Sequence, residues 1–123
     1  MANPNIVNVT AIYGKTSRTS LSTTSVTNIL NNPVNSNKLI KINTVNIANG
    51  SNTNAAITVA FYGAADLGGS LAYLVKDVTV PAYSTLTVID KSTMYYLEED
   101  SSIGATAGTA NVMSIICSYE EIS

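Results

Sequence analysis

A chain of 123 residues is long enough for one domain that buries roughly two-thirds of its unfolded surface, so neither a disulfide nor a metal is required to hold it. Fourteen Asn, fifteen Thr and fourteen Ser stand against six Lys and Arg and eight Asp and Glu, with no histidine and a net charge of −2. The missing imidazole removes the side chain best suited to proton transfer near neutral pH and the commonest metal ligand, while scattered cations exclude the basic stripe that nucleic acid requires.

Cys117 is the single cysteine and cannot form an internal bridge, which implies folding independent of an oxidising compartment. The start, Met-Ala-Asn-Pro-Asn, lacks the basic residues and apolar run of a signal peptide, and no segment approaches the ~20 apolar residues of a membrane span. The expectation is a chain made and kept in a reducing cytosol, binding no membrane. Low charge also leaves little self-repulsion to oppose assembly.

In chain order, the first predicted strand covers 5–13. Val7, Val9, Ala11 and Tyr13 form one face, and Ile6 and Ile12 lie on the other beside Asn8 and Thr10. Apolar residues on both faces leave two readings open: a first strand of the chain's own sandwich, or an extended arm covered by a neighbouring subunit. Residues 14–22 are polar and read as a loop. A weaker strand over 23–30 is closed by Asn31-Asn32-Pro33. The next strand, 38–48, carries Ile40 and Ile42 in one phase and Val45 and Ile47 in the other, which predicts a bulge near Asn43 or a change of packing environment. Asn49-Gly50 reads as a tight reversal that makes a hairpin with 55–62, where Ile57, Val59 and Phe61 alternate with polar and small residues.

Residues 63–70 read as a loop. Strands follow at 71–80, stopped by Pro81, and at 85–90, 94–97, 103–106 and 112–119. Alternation with period two and turn signals every 8–12 residues predict an all-β fold, a β-sandwich of immunoglobulin-like or jelly-roll type with eight to nine short strands. One domain, 1–123, is expected. Its predicted core is Ile40, Ile42, Ile57, Val59, Phe61, Val78, Val80, Leu86, Val88, Ile103, Ile115 and Cys117.

No constellation for catalysis emerges. Serines have no histidine to activate them, and Asp66, Asp77, Asp90, Glu98, Glu99 and Asp100 lack a spacing specific to glycoside cleavage. Glu98-Glu99-Asp100 lacks the alternating pattern of a calcium loop and reads as a solvated turn. The expectation is no enzyme, no catalytic residue, no cofactor and no metal. Seven tyrosines against one phenylalanine and no tryptophan favour contact surfaces, since a tyrosine body is apolar and its hydroxyl tolerates water. In an extended segment Tyr95 and Tyr96 point to opposite faces, one inward and one toward solvent or a partner. The candidate interface is therefore Ile6, Val7, Val9, Ile12, Tyr13, Tyr95 and Tyr96.

Val-Pro-Ala at 80–82, Leu-Thr-Val-Ile-Asp at 86–90, Tyr-Leu-Glu-Glu at 96–99 and Ser-Tyr-Glu-Glu-Ile at 118–122, with Ala-Asn-Pro-Asn-Ile-Val-Asn-Val at 2–9 and Ile-Tyr-Gly-Lys-Thr at 12–16, resemble small virion proteins of tailed bacteriophages of the cyanobacterial type. The Gly-Asp that usually follows the two glutamates in that pattern is replaced here by Asp100 and Ser101. The resemblance implies a structural role in a virion assembled in the host cytoplasm, with no catalytic residues to carry over. A capsid decoration or cement protein contacting the major capsid or other virion proteins is the first expectation. A neck, tail or fibre component, including an adhesin, is the second, and a carbohydrate-binding or hydrolytic module the third. A homo-oligomer, in first place a trimer, is expected.

Overall fold

The computed structural model describes residues 7–123. Among them, nine strands and no helix form: β1 (Ile12–Leu21), β2 (Thr27–Asn32), β3 (Leu39–Asn49), β4 (Ala55–Ala64), β5 (Gly68–Val80), β6 (Thr85–Ile89), β7 (Tyr95–Leu97), β8 (Ser101–Ala107) and β9 (Met113–Ile122). They make two antiparallel sheets, one ordered β1-β9-β3-β6 with β7 also on β3, the other β2-β8-β4-β5. Strands β1 and β9 pair, as do β2 and β8, β3 with β6 and β7, and β4 and β5. The chain is thus a long antiparallel ribbon wrapped so that successive pairs alternate between sheets. This is the jelly-roll form of the expected β-sandwich, not the immunoglobulin-like one.

Aliphatic residues from both sheets fill the space between them. Ile42, Ile47, Ile57, Ile89, Leu97, Ile103 and Ile115 are fully buried, with Leu21, Val59, Val80 and Cys117 among them. Of the predicted core, Phe61, Leu86 and Val88 are half-buried and pack against this cluster from its rim, and Val78 is also half-buried. The phase change in β3 is a bulge: its register with β9 slips between Ile42 and Thr44, which turns both Ile40/Ile42 and Val45/Ile47 inward.

The first strand differs from its prediction. Residues 7–11 are not in a strand, and the stretch read as a polar loop, 14–22, lies almost wholly within β1. Its ladder with β9 supplies the order that its hydrophobicity does not: ten consecutive pairs run without a register shift from Ile12↔Ile122 to Leu21↔Met113. The Asn49-Gly50 reversal is also no hairpin, because β3 and β4 belong to different sheets. The buried Asn49 side chain holds this arch, its Nδ2 donating to the carbonyls of Thr53 (2.8 Å) and Val80 (3.0 Å) while its Oδ1 accepts from the Ser51 N–H (3.0 Å) and hydroxyl (2.8 Å). Asn32 pins the preceding arch, between β2 and β3, in the same way, donating to the carbonyls of Lys38 and Leu97, both at 2.9 Å. Buried amides make sense only when every bond is satisfied, and here they are.

Candidate interface

The two sheets end in four edges: β1 and the collinear β6 and β7 on one, β2 and β5 on the other. An edge strand presents a row of unpaired backbone donors and acceptors, and proteins blunt such rows with short strands, bulges or charge. Three edges are blunted. β6 has five residues and β7 three, β2 has six with a bulge between Asn28 and Leu30, and β5 is broken by three register shifts against β4. β1 has ten regular residues, carries no proline, and holds only Lys15 and Arg18 as charges. A groove of about 500 Å³ lies over the β1–β9 pair toward its Leu21 end, lined by Arg18, Thr19, Ser20, Ser114, Ile115 and the half-exposed Ile116.

Ile6 lies outside the described residues. Val7 is 91% exposed and Val9 intermediate, ahead of β1. Thr10 and Ala11 donate their N–H groups to the Ser123 carbonyl at 2.6 and 3.0 Å, and Ser123 returns a bond to Ala11. The segment is therefore tied to the sandwich at Thr10 and Ala11. Ile12 and Tyr13, both exposed, are the first residues of β1. Tyr95 and Tyr96 sit on β7, opposite Ile42 and Lys41. The expectation that one of them packs inward does not hold, since they are 43% and 40% exposed; Leu97 takes the inward place. The Tyr13-Glu121-Ile40-Leu97 register shows that Tyr13 and the β7 tyrosines share one end of the sheet but stand at its opposite edges, with β9 and β3 between them. They form two separate surfaces.

Electrostatics tie that end together. Glu121 accepts from Lys38 (2.8 Å) and Lys15 (3.1 Å), bonds that hold its carboxyl below the usual carboxylate range and push the Lys15 ammonium up. Asp90 is also lowered, by the hydroxyl and N–H of Ser92. Of the three acids read as a solvated turn, Glu98 is exposed, but the other two serve the backbone: Glu99, 3% exposed, accepts the Asn37 N–H at 2.7 Å, and Asp100 accepts the Ala65 N–H at 2.9 Å. Among the described residues no group of His, Cys, Asp or Glu is placed to hold a metal ion, and no helix is long and apolar enough to cross a membrane. Burial pushes the Cys117 thiol up to about 12.

Sequence reasoning missed β1 as an edge, because a polar strand without apolar alternation carries no signal in periodicity. Its position beside the well-patterned β9 is a property of topology.

These features define an all-β, two-sheet sandwich with exposed edges and an aliphatic core. No family model and no curated protein matches the sequence. Among solved structures, the fold is similar to a chain from work on Bacillus endospore appendages, described as a novel family of disulfide-linked pili. That likeness has a TM-score of 0.52 at 11% identity and covers 89% of this chain and 86% of that one.

Proposed function

We propose that the protein is a non-catalytic structural subunit that acts by assembling in many copies, with β1 as the strand through which it joins its neighbour. The observation that carries this is the contrast among the edges: three are short or bulged, and β1 is long, regular and flanked by a groove. Such an edge adds a strand from another chain through backbone hydrogen bonds. The surface is nearly neutral, so repulsion between copies is weak.

The resemblance to small tailed-phage virion proteins supports a capsid decoration or cement role, with major capsid or other virion proteins as partners. Jelly rolls serve in viral capsids, which is compatible with this by analogy of fold. A neck, tail or fibre component is the second virion reading, and quantitative mass spectrometry of purified particles separates the two by copy number. The likeness to a pilus subunit favours repeated contacts between copies as the common denominator. Contacts between unlike surfaces close into a ring, such as a trimer, or continue as a filament, depending on the rotation per copy. The disulfide linkage in that neighbour's description has no counterpart at the buried Cys117.

Sedimentation across a concentration series, with electron microscopy of the same samples, tests the proposal. Wild-type protein is expected to assemble and Thr16→Lys/Ser20→Lys to stay monomeric, because additional lysines on an edge strand oppose the addition of a further strand. Both positions are exposed. Assembly unchanged by the double variant rules out β1 as the joint.

A further inference from the structure

The outward face of the second sheet is not flat. Along β8, β4 and β5, the register aligns Thr106 with Thr58, Gly104 with Ala60 and Tyr73, and Ser102 with Tyr62 and Leu71. The middle row has its two smallest residues, Gly104 and Ala60, side by side, with the Tyr73 ring rising beside them and Val26 on the far side. The result is a trough of about 240 Å³. At Gly104 the floor is closed in by neighbouring side chains: a Cβ there would stand 2.6 Å from Leu67 Cδ2, 3.0 Å from Val26 Cγ2 and 3.1 Å from Tyr62 Cε1, so these side chains would have to shift to admit one.

One end of the trough is made by a departure from regular β structure. Between the pairs Val59↔Val75 and Ile57↔Val78, two residues of β5, Lys76 and Asp77, stand opposite the single Thr58 of β4, and Asp77 has a φ of 48°. A non-glycine residue in that region is strained, and bulges of this kind re-aim side chains. Here the bulge places Lys76 Nζ 4.9 Å from the Tyr73 ring centroid, and Thr58 Oγ1 receives the Asp77 N–H at 3.0 Å. Tyr73 remains 51% exposed despite the ammonium.

We propose that this trough binds one sugar residue of a neutral glycan. A pyranose has apolar C–H faces and a polar rim, and the trough matches both: tyrosine rings and Val26 meet the faces, while the Thr106 hydroxyl, the Lys76 ammonium and the second carboxylate oxygen of Asp77, whose Oδ1 accepts the Thr58 hydroxyl at 3.4 Å, are offered to the rim. The one positive and one negative charge cancel, so the site selects neither an anion nor a cation. A volume below that of a drug-sized pocket fits a single ring in an open chain. The assignment is independent of the assembly reading, since the trough lies on the sheet that does not contain β1.

Saturation-transfer difference NMR on the full chain, with maltohexaose, cellohexaose, chitohexaose and mannohexaose as probes, tests it. At least one probe is expected to receive saturation at its ring protons. Tyr73→Ala, at an exposed position, is expected to weaken binding about tenfold with an unchanged circular-dichroism spectrum. Tyr83→Ala, on a tyrosine 74% exposed and outside the trough, is expected to bind as wild type. No transfer to any probe, equal binding by Tyr73→Ala, or an equal loss in Tyr83→Ala overturns the proposal. So do Tyr62 and Tyr73 ring signals that shift with protein concentration alone, which would assign the trough to a second copy.

Discussion

Replacing Asn49 by alanine removes four hydrogen bonds at the β3–β4 arch: two donated by Nδ2 to the carbonyls of Thr53 and Val80, and two accepted from Ser51. Thr53 keeps the Ser51 hydroxyl at 2.9 Å, so its carbonyl is not orphaned. The Val80 bond is buried and loses this donor outright. With about 0.5–1.5 kcal/mol for each bond lost, Asn49→Ala is expected to cost about 3 kcal/mol. Urea unfolding measures this as a lower midpoint with an unchanged slope. Asn49→Asp adds a diagnostic, because its carboxylate would face two carbonyl oxygens with no donor to offer. Its folded pKa then lies above the ordinary ~3.9, so the penalty is full above the folded value and is relieved as pH falls toward the unfolded one. A loss below about 1 kcal/mol in Asn49→Ala, or an Asn49→Asp penalty that ignores acid, would refute the view that this side chain holds the arch.

Phe61→Ala is expected to cost about 2 kcal/mol and Ile57→Ala about 3–4 kcal/mol in the same assay, because Phe61 sits at the rim and Ile57 is fully buried. Equal losses would contradict this ranking. Glu121, with its folded pKa lowered by Lys38 and Lys15, contributes stability that is present above the ordinary carboxylate value and lost as pH falls through the lowered one. Thermal melts of Glu121→Gln are therefore expected to sit slightly below wild type at pH 7 and to converge with it in acid; a constant offset would count against the ion pair. Cys117, with its thiol pushed up to about 12 by burial, is expected to resist a thiol-reactive disulfide probe until the protein unfolds. Labelling at the rate of a free thiol under native conditions would show that β9 opens locally.

Period-two alternation in β3, β4 and β9 was enough to read an all-β sandwich, and the phase change between Ile42 and Val45 left a bulge or a change of packing environment open, of which the ladder with β9 shows the bulge. β1 was illegible because the side chains facing the β9 residues Ile115 and Cys117 are Thr19 and Ser17, so an edge strand that covers little of the core carries no apolar beat. Asn49-Gly50 misled for a different reason. The pair carries the local chemistry of a tight turn, yet the amide was used to bridge two sheets, and Gly50 is not among the residues of positive φ. Whether adjacent strands pair or cross is decided by which sheet offers each an edge, which short-range signals do not encode. Of the candidate interface residues, Val7, Ile12, Tyr13, Tyr95 and Tyr96 are exposed, and the division of Tyr13 and the β7 tyrosines between opposite edges depended on the β1-β9-β3-β7 order.

Amide hydrogen exchange along β1 at low and high protein concentration tests the central claim most directly. If β1 joins a neighbouring copy, its outward-facing amides between Ile12 and Leu21 exchange quickly in dilute protein and become protected as concentration rises, while those bonded to β9 are protected throughout. Outward amides of β1 that exchange equally fast at every concentration, in samples shown by sedimentation to be assembled, would contradict the account.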